Sequence, residues 1–262
     1  MCCFSNAPAF DKVSGTQIFA RFVEPGRQAL AYSMTLSARA PLAMVLPLPV
    51  PAGTGEDALQ FVDLSGCPKL FDHLNLAFPL PQPRGGPVLR SARPQLIPLK
   101  VHQVGDFEAS FVPTVADFSR LDPRFRIAPE VWAGLPDVAD YGFAVFQLRG
   151  FDAEGGLLSF FKRKTTTRTF HPMAFVFPSR QPDSLFFPTV HIHDGDVHDH
   201  ADFDHTLYAQ GLHEPQGWAR SSGLLSRYVP LHETKELVVG GFAHRMKLKG
   251  RLPNRDMWVA VD

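Results

Sequence analysis

The chain has 262 residues, 45% hydrophobic and 20% charged, which is the composition of a folded globular chain and excludes a disordered one. Lys plus Arg (26) equals Asp plus Glu (26), so no overall field draws the chain to nucleic acid or to an anionic membrane. Apolar runs fall well short of the roughly 20 residues that span a bilayer, the M-C-C-F-S-N start lacks the regions of a secretory signal, and three cysteines make no disulfide framework, so a cytoplasmic setting is expected.

Pro (24) and Gly (20) leave little room for long helices, and 23 Phe favour pleated, half-buried surfaces. Strands are predicted at 16–23, at 28–37 after an E-P-G-R turn, and at 42–48. Leu70, Phe71, Leu74 and Phe78 recur at helical spacing, which predicts a helix over 68–78 opened by Pro68. The proline-rich run 79–98 reads as an extended surface connector. Strands at 96–104 and 107–112 follow, joined through Gly105-Asp106, then short helices at 114–121 and 129–135. Further strands are expected at 141–151, 157–163, 165–170, 173–178 and 235–242, with a hairpin connection at 152–156. The basic run Lys162-Arg163-Lys164 suits an edge strand that resists sheet-to-sheet association. No repeat or linker divides the chain. The expectation is one α+β domain over residues 1–262, mostly antiparallel sheet in two layers with a few short helices.

The densest chemistry lies in residues 191–205, H-I-H-D-G-D-V-H-D-H-A-D-F-D-H, within a His/Asp-rich segment at 185–210. Fifteen residues hold five histidines and five aspartates, and no Lys or Arg stands between Arg180 and Arg220. A cation repels a bound metal, so that gap favours one. Val190 and Ile192 alternate with His191 and His193, as in a strand with imidazoles on one face. Asp194-Gly195 is a strong two-residue hairpin signal. Such a hairpin sets His193 opposite Asp196 and His191 opposite His198, with His191, His193, His198 and His200 on one face. Directly opposed Cβ atoms lie about 5 Å apart, close enough for two or three imidazoles to meet one ion.

His191, His193 and His198 are therefore the leading metal ligands, with His200, His205, Asp196 and Asp204 as lesser ones. His205 has the opposite parity and joins only if the chain bends. Zinc, copper or iron suits imidazole with carboxylate. The reading is a metal-binding protein, and specifically a metal-dependent enzyme of redox, oxygen or hydrolytic chemistry acting on a small molecule. A non-catalytic metal-binding or sensing protein is the alternative, and a merely solvated His/Asp hairpin the bland one. No H-E-x-x-H and no C-x-x-C accompanies the histidines. Oligomeric state is left open.

Cys2 carries a third reading. With Met1 removed, its amine and thiol form the base and nucleophile of an N-terminal nucleophile amidohydrolase, a class also built on stacked sheets. The plainer role is packing in a first strand with Cys3. Cys67 before Pro68 reads as a buried structural cysteine, and His171, between Phe170 and Pro172, as a core histidine. Phosphate-loop, dinucleotide and G-x-S-x-G motifs are absent.

The runs A-M-V-L-P-L-P-V-P at 43–51, V-G-D-F-E at 104–108 and Y-G-F-A-V-F-Q-L at 141–148 resemble segments of bacterial protein families of unknown function. The resemblance implies scaffold strands and no activity, ligand or residue role.

Overall fold

In a computed structural model the described residues are 2–5, 7–78, 102–104, 107–127, 131–132, 134, 138–148, 151, 165–193 and 195–261. The expected strand at 157–163, both hairpin connections (105–106 and 152–156), the basic run 162–164, the whole connector at 79–98 and most of the helix at 129–135 lie outside them.

The strands are β1 (Cys2–Phe4), β2 (Phe10–Glu24), β3 (Arg27–Ala38), β4 (Leu42–Leu48), β5 (Gln60–Asp63), β6 (His102–Val104), β7 (Phe107–Val112) and β8 (Gly142–Leu148). They continue as β9 (Thr166–Thr169), β10 (Met173–Pro178), β11 (Ser184–Phe187), β12 (His191–Ile192), β13 (His200–Ala209), β14 (Ala219–Arg220), β15 (His244–Pro253) and β16 (Met257–Ala260). The helix predicted from 70/71/74/78 forms as α1 (Leu70–Leu76). The helix expected at 114–121 tightens to a 3-10 turn, Val115–Arg120, whose leading Thr114 hydroxyl donates to Asp117 at 2.7 Å.

A six-stranded sheet runs β12-β1-β4-β8-β7-β6. An eight-stranded sheet runs β14-β15-β13-β2-β3-β10-β5, with β9 beside β3, and β11 pairs β16. Sheet-rich with few helices is the right class. The sheets are mixed, however, because β1 meets β12 in parallel and β2 meets β13 in parallel.

Side-chain alternation builds the layers. In β4 every residue is buried, since Leu42, Met44, Leu46 and Leu48 face the eight-stranded sheet while Ala43 and Val45 face an outer cover. In β3, Leu30, Tyr32, Met34 and Leu36 face the core between the sheets, and Ala29 and Ala31 sit under α1. Strands covered on both faces lose the clean apolar/polar alternation and read as continuous apolar runs. Each fully buried Leu, Met or Phe contributes about 1.5–3 kcal/mol. Buried Gln28 ties β11 to β3: its amide donates to the Phe186 carbonyl at 2.7 Å and accepts the Phe186 N–H at 2.9 Å.

The strand expected at 235–242 is a covering loop. Lys235 and Glu236 have φ of 51° and 62°, values no strand admits, and the Arg21 guanidinium holds the Glu236 and Leu237 carbonyls. Among the described residues no helix is long and apolar enough to cross a membrane.

Candidate functional site

The histidine segment does not close on itself as a hairpin. β12 joins the six-stranded sheet beside β1, with Cys2 opposite His191 and Cys3 opposite Ile192. β13 joins the eight-stranded sheet between β15 and β2. Gly195 does adopt positive φ, at 93°, yet His191 and His198 are not cross-strand partners, and the expected common face of His191, His193, His198 and His200 is overturned. The reason is competition for backbone partners. A longer ladder, ten residue pairs from His200–Pro253 to Ala209–His244, claims β13.

The alternation within each segment holds, and it decides the site. Val190 and Ile192 point into the outer cover with Cys3, which leaves His191 and His193 on the inter-sheet side with Phe4. In β13, Leu207 and Ala209 face the same interior, so Phe203 and His205 do too. The odd parity that set His205 apart from His200 is what brings it inward. His205 is 2% exposed, and its Nε2 lies 3.0 Å from His191 Nε2, one nitrogen donating and the other accepting.

Around this pair the rings are close-packed. The His191 ring lies 4.6 Å from His205, 4.8 Å from His193 and 4.6 Å from Phe203. His193 packs against Phe10 (4.9 Å) and Phe4 (5.5 Å), which stack on each other at 5.1 Å. Asp196, His198 and His200 are exposed, and the side chain of Asp204 is half-exposed. Asp204 accepts the Gly15 N–H at 2.6 Å, a donor released where a bulge shifts the β2–β3 register between Ser14 and Gln17.

Desolvation sets the protonation state. Burial pushes His205 down to about 2, reinforced by the charges of His191, the chain N-terminus and His193. Burial also lowers His191 to about 4, with the N-terminal charge adding and Asp204 opposing. Both rings are neutral at pH 7. His205 Nδ1 is buried without a hydrogen-bond partner, the nearest Asp204 oxygen standing 3.9 Å away.

Two residues that the sequence reading passed over hold β12 in place. Asn254 accepts the His191 N–H at 2.7 Å and donates to the carbonyls of His191 and His198, each at 2.9 Å. One oxygen of Asp256 accepts the N–H groups of Thr189 (2.8 Å) and Val190 (2.9 Å). Their signal was P-N-R-D at 253–256, since Asn and Asp readily bond nearby backbone in turns.

An open depression of about 370 Å³ borders the cluster, lined by Phe10, Lys12, Ser14, His191, His193, Asp202 and Asp204 among others. The cation-free stretch of sequence is therefore not cation-free in space, because β2 brings Lys12 to its rim. Among the described residues no group of three or more His, Cys, Asp or Glu side chains is placed to hold a metal ion. His171 is buried elsewhere, 4.4 Å from the Phe107 ring. Cys67 is buried, which pushes its thiol up, with Glu233 adding to the rise.

No family model matches the chain, and no curated protein does. Solved structures do. Baculovirus P35 aligns over 99% of this chain and 99% of its own, at 12% identity and a TM-score of 0.53. A mutated baculovirus P35 after caspase cleavage aligns over 95% of this chain and 99% of its own, at 12% identity and a TM-score of 0.45. The P35 crystal structure shares this chain's fold.

Proposed function

We propose that this chain is a protein ligand of a caspase-like cysteine endopeptidase, cut by it while keeping its fold. The observation that carries the reading is the likeness to P35, which runs the full length of both chains. A mutated form of P35 has been solved after caspase cleavage.

Strand order supports it. The segment before the connector contributes β1–β5, and the segment after it contributes β6–β16. In the six-stranded sheet β1 and β4 lie between β12 and β8, and in the eight-stranded sheet β2 and β3 lie between β13 and β10. A cut between α1 and β6 leaves both fragments woven into both sheets, so cleavage does not release them. Residues 79–101 contain Arg84, Arg90, Arg93 and Lys100 and no Asp or Glu. An endopeptidase specific for aspartate has no residue to read there, whereas one specific for a basic side chain has four.

The test incubates the purified chain with caspases and with Arg/Lys-specific caspase-like endopeptidases. The expected result is two fragments that co-elute, with endopeptidase activity falling in proportion to the chain added. An intact chain and unchanged activity across both specificities overturns the reading.

A further inference from the structure

We propose that His191, His193 and His205 form a binding site for one divalent transition-metal ion of the zinc class, at the junction of the two sheets. This inference is independent of the endopeptidase reading, and it concerns the one sequence motif that reading leaves unused.

Ring geometry carries it. Two imidazoles bound to one ion through bonds of about 2.0–2.1 Å, at angles between octahedral and tetrahedral, hold their nitrogens about 2.9–3.4 Å apart. The Nε2 atoms of His191 and His205 stand 3.0 Å apart. A ring centroid lies roughly 1.1 Å beyond its ligating nitrogen, so co-ligating rings have centroids about 4.5–5.2 Å apart. The observed values are 4.6 Å for His191–His205 and 4.8 Å for His191–His193.

As the side chains stand, no three donors among the described residues are grouped to hold an ion. Completing the set requires the His193 ring to reorient beside the stacked Phe4 and Phe10 rings. Asn254 fixes the His191 backbone from both its N–H and its carbonyl. The neighbouring depression supplies an entry path and leaves room for water as a further ligand.

The chief competitor is the exposed run around His198 and His200. The experiment titrates the metal-free, untagged chain with Zn²⁺ and with Co²⁺ by calorimetry. It is repeated on His193→Ala and on a His198→Ala/His200→Ala double variant, with circular dichroism confirming each fold. One ion per chain is expected, weakened at least about tenfold by His193→Ala and unchanged in the double variant. Ring-proton NMR of the wild-type chain supplies an answer that needs no variant: Zn²⁺ shifts the signals of His191, His193 and His205 together. No binding, binding lost in the double variant but kept in His193→Ala, or shifts confined to His198 and His200 overturns the proposal.

Discussion

Burial converts the histidine cluster into a dependence of stability on pH. An unfolded imidazole titrates near 6.5, whereas folded His191 titrates at about 4 and His205 at about 2. Between those values the unfolded chain binds more protons, so stability rises with pH in that window. The contribution is complete above pH 6.5 and falls as the pH drops. The His191 share, on the order of 3 kcal/mol at 1.36 kcal/mol per pKa unit, is spent by pH 4, and the His205 share keeps falling toward pH 2. Urea midpoints of the metal-free chain at pH 7.5 and 5 should show this drop, and a His191→Phe/His205→Leu variant should show less of it. An equal drop in both places the cause elsewhere. Asn254 is the second residue-scale lever. Asn254→Ala removes three hydrogen bonds to the backbone around β12 and should cost about 1–3 kcal/mol by urea titration.

At the scale of elements, what was legible was the face each strand turns inward, and what was not was its neighbour. The strands at 42–48, 107–112 and 173–178 form at the expected boundaries, because apolar runs bounded by Pro and Gly specify a strand locally. The run at 235–242 failed because backbone carbonyls there bond to Arg21 instead of to a ladder. The alternation of His191 and His193 against Val190 and Ile192 was readable, as was the odd parity of His205. Their convergence was not, since it takes one strand from each sheet. Gly142 at the start of β8 offers a check on the packing. A Cβ placed there meets the Phe111 ring at 2.5 Å and Val50 at 3.0 Å, inside a close-packed core. Gly142→Ala should therefore destabilise the chain by about 1–3 kcal/mol, measured as a lowered denaturant midpoint. An unchanged midpoint refutes that packing.

At the scale of the molecule, the interleaving of early and late strands has a mechanical consequence of its own. If a specific protease site is inserted between α1 and β6 and cut, the two fragments should co-elute on size exclusion and part only in denaturant. Both sheets carry strands from each side of the cut, so separation requires breaking β1–β12, β4–β8, β2–β13, β3–β9, β3–β10 and β5–β10 at once. Fragments that separate in native buffer refute the strand order. The same interleaving explains the mixed sheets: parallel neighbours such as β2 and β13, separated by some 180 residues, need long excursions of chain between them.

Composition and period-two alternation by themselves determined that this is a strand-rich chain with one short helix near residue 70, and which side of each strand is apolar. Those properties depend on residues close together along the chain. Only the tertiary structure decided that β12 lies beside the N-terminal strand, that His205 rather than His198 meets His191, and that Asn254 and Asp256 hold the junction. Strand pairing is settled by competition among distant backbone donors and acceptors, and a linear pattern reports the face of a strand without naming the strand across from it.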